Sequence, residues 1–390
     1  MKKYNGDIKS RVPIFSWCEE PEEGALNQAI KLSELPFIYK HVALMPDTHQ
    51  GYGMPIGGVI ACNKVIIPNA VGVDIGCGMC AVQLECNHID TEVLKTIMGR
   101  IRDTIPVGFN HHDKPQKWIG WNQVPEITVI QQQLESAKHQ LGTLGGGNHF
   151  IEFQQGNDGH VWIMLHSGSR NLGYQIAKYY NKLAQQLCER WYSNIPTVQG
   201  EDGLAFLPIE SKEGKEYFEA MKYALKFAEA NRFQIMVSIL SIVHDVTKYI
   251  GSMHPIDVPH NYARWENHYG KNVIVHRKGA TSAKEGELGI IPGSQGTSSY
   301  IVHGKGNVES FKSCSHGAGR AMSRSKARSE LNLEQEIAKL DSFGIIHSIR
   351  NKEDLDEASS AYKDIETVMK EQEDLVDIHI ELKPLAVIKG

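Results

Sequence analysis

One histidine of this chain stands among the smallest residues available: Cys314, Ser315, His316, Gly317, Ala318 and Gly319 run consecutively. Small neighbours let a backbone approach a ligand closely and leave an imidazole unobstructed. Arg320, Arg324 and Arg328 follow at i, i+4 and i+8, which on a helix puts three guanidinium groups on one face. A glycine turn entering a helix N-terminus suits an anion, and guanidinium groups suit phosphate oxygens. The stretch predicts an imidazole held beside bound phosphate and able to attack it. The same residues also admit a plainer reading, a buried histidine ahead of a solvated basic helix.

A second constellation points to metal. Asp74 and Cys77 in VGVDIGCGM are each flanked by glycine, so a tight turn can aim carboxylate and thiolate at one point. Thiolate can bridge two metal ions, and a carboxylate beside it suits a harder ion such as Mn²⁺. Cys77 and Cys80 also form a C-x-x-C pair. No second pair and no thioredoxin-like setting accompany it, so Cys80 is assigned to the following strand. His149 in GGGNHF, His166 in LHSGSR and His260 in VPHNY lie at expected strand ends or loops. Each alone is most simply a structural histidine; together with Asp74 and Cys77 they make a dinuclear site. His111 and His112 read as exposed.

These residues need elements to hold them. Gly24 to Leu35 has the pattern of an amphipathic helix stopped by Pro36. Met45 to Val59 is glycine-rich and reads as a loop, and GVIACNKVII as a buried strand. Asp90 looks like an N-cap for a helix with Leu94, Ile97 and Ile101 on one face. Asp103 to Glu135 is aperiodic and reads as a long loop or lid. A strand after GGGNH puts Phe150 and Glu152 on one face, opposite Ile151 and Phe153, and VWIMLH is a second strand. Leu172 to Trp191 and Gly214 to Ile250 have helical spacing, the latter with Met221, Leu225, Ala228, Ile235, Ile239 and Ile242 inward. Strands return at NVIVHRKG, GIIPGS and SYIVHG. A helix near Asp364 to Glu373 and the alternating strand LVDIHIELKPLAVIKG close the chain. The fold class expected is α+β, a sheet-based core with a helical insertion around 172–250, in a single domain over 1–390.

Composition sets limits. A formal charge of −5 excludes a globally basic coat, so any nucleic-acid contact is a local patch. The N-terminal residues show no signal peptide, and no apolar run is long enough to span a bilayer. Seven irregularly spaced cysteines argue against a disulfide framework and for a reducing, cytoplasmic setting. G-x-x-x-x-G-K-[ST], H-E-x-x-H and the K-x-D-G of lysine-dependent nucleotidyl transfer are all missing. A nucleotide carried covalently would therefore be carried by histidine.

MPDTHQGYG, VGVDIGCGM, LGTLGGGNHFIE, LHSGSR, PHNY, RKGA, IPGS and CSHGAGRAMSR, in this order, resemble the RtcB family of GTP- and Mn-dependent RNA-splicing and repair ligases. The resemblance spans about Pro36 to Gly390 and implies that family's own α+β architecture, with a cleft for two Mn²⁺ ions. By matching positions it implies Asp74, Cys77, His149, His166 and His260 as metal ligands, Cys77 bridging, and His316 as the nucleophile that accepts GMP from GTP. It implies Asn148, Phe150, Glu152, Ser299, Tyr362 and Lys389 as guanine-nucleotide residues, and Arg170, Lys278 and Arg324 as RNA-phosphate residues. The implied activity joins RNA 3′-phosphate or 2′,3′-cyclic phosphate ends to 5′-hydroxyl ends through an activated 3′ end, in tRNA splicing or RNA repair, with an archease-type activator as a candidate partner. The chain departs from the commoner pattern in GYGMPIGG, in the Gly-Gly-Gly before Asn148 and in Gln295 after PGS. A paralogue with a narrower job fits these departures, and the 103–135 segment, which matches least, could set substrate choice.

Two other classes share some of these residues. A dinuclear metal phosphohydrolase would use Asp74, Cys77 and the three histidines with no need of GTP, Lys389 or a free His316. A non-catalytic sensor of guanine nucleotide or RNA ends would have no need of all five ligands and a nucleophile.

Overall fold

Apolar runs and glycine breaks divide the chain into short strands with helices laid against them. The computed structural model describes residues 1–4, 10–191 and 203–390. Strands β1 (Lys2–Tyr4) and β2 (Ile14–Ser16) come first, then helix α1 (Glu23–Glu34), which ends at Leu35 because Pro36 disfavours helix in the residue before it. Two longer strands, β3 (Ile38–His49) and β4 (Ile56–Cys62), pair antiparallel. Met45 to His49 therefore belong to a strand, and only 50–55 is loop. The glycines had suggested otherwise, but Gly57 and Gly58 lie within β4, where side chains would collide with Thr48, Asp47 and Met54.

β5 (Val65–Ile66) and the single turn α2 (Pro68–Val71) lead to β6 (Gly78–Gln83). Helix α3 (Thr91–Thr104) begins after Asp90, whose side chain makes no capping bond, and buries Leu94, Ile97 and Ile101. The 103–135 segment is not all loop: α4 (Thr128–Gln140) occupies its end, and Trp118 and Trp121 pack on the helical core. Two half-buried indoles anchor a stretch whose sequence carries no period. β7 (Phe150–Gly156) and β8 (Val161–Ser167) follow as expected.

Helices α5 (Arg170–Arg190) and α6 (Lys212–Thr247) form the helical insertion, with β9 (Leu207–Pro208) between them; residues 192–202 lie outside the described set. Ser211 caps α6 by accepting from the Gly214 N–H. Met221, Ala228, Ile235, Ile239 and Ile242 are buried. Each buried Met or Ile among these contributes about 1.5–3 kcal/mol on leaving water, and Ile235, Ile239 and Ile242 hold the insertion on the sheet.

The remaining strands are β10 (Ile256–Pro259), β11 (Asn261–His268), β12 (Lys271–Lys278), β13 (Ala280–Ser282), β14 (Leu288–Ile291), β15 (Ser299–Gly304) and β16 (Ser313–Ser315). Three short helices, α7 (Arg324–Glu330), α8 (Leu333–Ser342) and α9 (Ile365–Lys370), precede β17 (Val376–Lys389). Helix does not begin at Gly319: Ser323 caps α7, so Arg320 lies outside it and only Arg324 and Arg328 share its face.

Two sheets carry the site. One runs β1-β2-β3-β4-β12-β11, the other β10-β6-β8-β7-β17-β15-β14, and both are antiparallel except at β2–β3. In the second sheet Pro259 opposes Gly78, Gly78 opposes Ser167, His166 opposes Phe150, and Phe150 opposes Lys389. One end of five neighbouring strands thus collects residues from five distant stretches. His260 sits where the chain passes from β10 in that sheet to β11 in the other.

Candidate metal and nucleotide site

The five metal candidates converge. Cys77 Sγ lies 3.3 Å from His149 Nε2 and 3.2 Å from His166 Nε2. His166 Nε2 is 3.4 Å from His260 Nε2, and His149 Nε2 is 3.4 Å from Asp74 Oδ2. Two donor groups result, Asp74–Cys77–His149 and Cys77–His166–His260, with Cys77 common to both. Nδ1 of His149 donates to the Leu144 carbonyl at 2.9 Å, and Nδ1 of His166 to the Asn148 carbonyl at 3.0 Å. Each bond fixes the tautomer that turns the Nε2 lone pair toward the sulfur. Cys80 points away, into the apolar core under the sheet.

Electrostatics favour a cation between these groups. Burial, and then the neighbouring imidazoles, press His166 and His260 well below the ordinary histidine range, so both present neutral rings. Desolvation alone would raise the Asp74 carboxyl, but the His149 imidazole brings it below its usual value. Burial and the Asp74 charge push the Cys77 thiol well up. An acidic carboxyl, neutral imidazoles with converging lone pairs and a thiol that ionises only against a cation fit one pair of bridged divalent ions.

Helix α6 braces this cluster, a role its apolar spacing did not disclose. Buried Arg232 pairs with Asp257 through two bonds of 2.6 Å and donates to the carbonyls of Gly76 at 2.8 Å and Ser167 at 3.1 Å, the residues beside Cys77 and His166. Asn231 accepts from the N–H groups of Gly142 and Thr143 and donates to Ser167 and Gly168. An Asn-Arg pair within a long apolar helix face was the signal available.

His316 stands beside the cluster, its ring centroid 4.7 Å from that of His260. Asp47 holds it: Oδ2 accepts from His316 Nδ1 at 2.6 Å and from the His316 backbone N–H at 3.1 Å. Asp47 is fully buried, and its Oδ1 has no partner among the described residues. With Nδ1 committed, Nε2 keeps its lone pair. Sequence reasoning missed Asp47, although a carboxylate closing the apolar run Val42–Met45 was a signal.

One cavity, lined by His316, also takes in Asn148, Phe150, Glu152, Ser299, Tyr362 and Lys389. Phe150 and Glu152 share the face of β7 that looks into it, while Ile151 and Phe153 face the opposite core. Burial raises the Glu152 carboxyl to about 7, against Gln154, which donates to it at 2.8 Å, and Lys389. Lys389 Nζ lies 5.0 Å from the centre of the Phe150 ring. Glu357, also missed, accepts from Tyr362, Arg320 and Arg324 at the cavity wall.

The three phosphate candidates are less alike. Lys278 and Arg324 line a second, wider cleft that opens over Asp74, Cys77, His260 and His316. Lys278 Nζ donates to the carbonyls of Tyr52 and Asn69. Arg324 is half-exposed and bonded to Glu357 at 2.9 Å, and Arg328 is tied to Asp356. Arg170 is turned into neighbouring loops, bonded to Thr143 at 3.2 Å and to the Gly108 carbonyl at 3.3 Å.

The model of the family described as tRNA-splicing ligase RtcB matches residues 28–130 and 117–390. The RNA-splicing ligase RtcB of Escherichia coli K12 is 38% identical over 97% of this chain and 97% of its own. A tRNA-splicing ligase RtcB of Nanoarchaeum equitans is 33% identical, covering 98% and 96% of the two chains. RNA-splicing ligase RtcB homolog 1 of Entamoeba histolytica is 31% identical, covering 94% and 83%.

Proposed function

The chain belongs to the RtcB family and is an RNA ligase, and we propose that it joins RNA 3′-phosphate or 2′,3′-cyclic phosphate ends to 5′-hydroxyl ends through GMP carried on His316. The observation that carries this reading is the position of His316. Its Nδ1 is fixed by Asp47, and its ring borders both the narrower cavity and the wider cleft. A nucleophile serving two substrates in turn needs both faces.

In the proposed sequence the Nε2 lone pair attacks the α-phosphorus of GTP. An N–P bond forms, the P–O bond to the β-phosphate breaks, and pyrophosphate leaves. Asp47 holds the Nδ1 proton and stabilises the charge that develops on the ring. An oxygen of the RNA 3′-phosphate then takes the GMP from His316. The 5′-hydroxyl oxygen of the other strand attacks that 3′-phosphorus, and GMP departs as the 3′,5′ bond closes. Water opens a 2′,3′-cyclic phosphate beforehand. Asp74, Cys77, His149, His166 and His260 would hold two Mn²⁺ ions, which when bound neutralise charge on the phosphate oxygens.

Glu152 is assigned to the guanine edge, with Phe150 against the base and Asn148, Ser299, Tyr362 and Lys389 completing the nucleotide contacts. Arg170, Lys278 and Arg324 are assigned to the RNA ends, where an acidic protein needs local cations. A cytoplasmic setting fits seven buried free cysteines, and no described helix is long and apolar enough to cross a membrane. An archease-type activator is a candidate partner, tested by multiple-turnover joining with and without it.

The deciding experiment is the intact mass after incubation with GTP and Mn²⁺. Gain of one GMP, acid-labile and alkali-stable and missing from His316→Ala, is the expected result. Phosphoester hydrolysis without any covalent gain would replace this reading with a dinuclear phosphohydrolase.

A further inference from the structure

The carbonyls on either side of Asp47 are held by a side chain that neither pocket contains. β3 and β4 lose register between Leu44 and His49, so the segment carrying Asp47 is not fixed by regular ladder pairing. Lys363 supplies the hold. Its Nζ donates to the Thr48 carbonyl at 2.6 Å and the Pro46 carbonyl at 3.2 Å, and lies 3.6 Å from Cys18 Sγ. An ammonium has three donors, and three acceptors surround this one. Nothing remains for a substrate.

The same residue grips the nucleophile's loop from its other side. The Lys363 backbone N–H donates to the Gly319 carbonyl at 2.9 Å, three residues past His316. Gly319 has φ +74° and packs directly on Asp47, where a Cβ would stand 2.3 Å from the Asp47 carbonyl oxygen. His49 Nδ1 takes that carbonyl at 2.9 Å. Lys363 thus joins the two chain segments that bring Asp47 Oδ2 and His316 Nδ1 to 2.6 Å. Its neighbour Tyr362 lines the nucleotide cavity, so one dipeptide touches both the pocket wall and the support of the nucleophile.

We propose that Lys363 is a positioning residue for His316. It acts through Asp47 by fixing the backbone on both sides of that carboxylate, and it makes no contact with nucleotide or RNA. The inference rests on guanylyl transfer to His316 as read above.

Single-turnover formation of the GMP adduct tests it, measured against GTP concentration at saturating Mn²⁺. Lys363→Met removes all three donors. Its maximal rate should fall by about tenfold to 100-fold, the scale of a sub-ångström to ångström displacement, while the half-saturating GTP stays within about twofold. Lys363→Arg, which keeps cationic donors, should recover most of the rate. Placed on Asp47→Asn, Lys363→Met should cost less than about twofold more, because residues acting through one another are not additive.

An unchanged rate in folded Lys363→Met overturns the assignment. So does a raised half-saturating GTP at unchanged maximal rate, or full multiplication of the two losses. Circular dichroism and thermal melting establish folding. Should Lys363→Met not fold, Lys363→Gln carries the same comparison, and its failure to fold as well returns Lys363 to a purely structural role. A wild-type chain that forms no adduct overturns guanylyl transfer itself, an outcome distinct from a wild-type adduct insensitive to Lys363.

Discussion

Glu152 shows how one buried carboxyl can serve recognition and oppose stability. Burial lifts it to about 7, so between pH 8 and 6 it passes from mostly ionised to mostly protonated. Only the ionised form accepts from both N–H groups of a guanine edge. Half-saturating GTP for adduct formation should therefore rise by about tenfold as pH falls from 8 to 6. Glu152→Gln should flatten that part of the profile, and a wild-type profile no steeper than the variant's would remove Glu152 from base recognition. For stability the sign reverses: the folded value lies above the unfolded one, so this group's contribution is complete below about pH 4.3 and declines as pH rises through 7. At the same scale, Cys77 and Cys80 separate cleanly. Cys77 Sγ lies at the meeting point of both donor groups, and Cys80 lies in the core. Cys77→Ala should weaken Mn²⁺ binding more than about 100-fold, beyond the usual effect of an outer-sphere change. Cys80→Ala should leave binding within about twofold, as measured by titration with electron paramagnetic resonance. Equal losses would dissolve the distinction.

Among the elements, β17 carries the most unexpected load. Chain ends are usually frayed, yet β17 lies between β7 and β15, and its last residues oppose Phe150. The Gly390 N–H donates to the His149 carbonyl at 3.1 Å, beside a metal candidate. Deleting Lys389 and Gly390 should keep the fold and Mn²⁺ stoichiometry while cutting adduct formation by about tenfold or more, since an ammonium lining the cavity proposed for the nucleotide is lost. Normal adduct formation by the shortened chain would mark Lys389 as a bystander. α7 carries less than its sequence promised. Arg324 and Arg328 are already paired with Glu357 and Asp356, so its basic face lies against an acidic wall.

For the whole molecule, the two sheets are joined at the site itself. β10 passes directly into β11 through His260, and α6 packs on both the helical core and the core beneath the second sheet. We propose a single cooperative unit. Urea unfolding followed by tryptophan fluorescence and by far-ultraviolet circular dichroism should give one coincident transition; two separated midpoints would divide the chain. The second sheet also explains why the metal candidates come from stretches as far apart as Asp74 and His260: β10, β6, β8 and β7 are neighbours in it, and the five residues lie at or beside their ends.

Local physics was legible in the chain. Glycine framing marked Asp74, Cys77 and His316, the period of two placed Phe150 and Glu152 on one face of β7, and the period of 3.6 found α5 and α6. Each depends on residues within a few positions of one another. Where the same cues were read alone they misled: glycines at 57 and 58 suggested a loop although they are strand residues pressed against β3, and the 103–135 segment hid α4, whose buried Val129, Ile130, Ala137 and Gln140 are too sparse to mark a helical period. What the sequence could not disclose is whatever depends on register between distant strands. Asp47 and His316 are 269 residues apart, and nothing in either stretch names the other. Lys363, Glu357 and Arg232 likewise gain meaning only from the carbonyls, guanidiniums and carboxylates that folding brings to them. Side-chain chemistry and local spacing belong to the sequence, but a hydrogen bond between remote segments exists only after packing and sheet register have fixed where both partners stand.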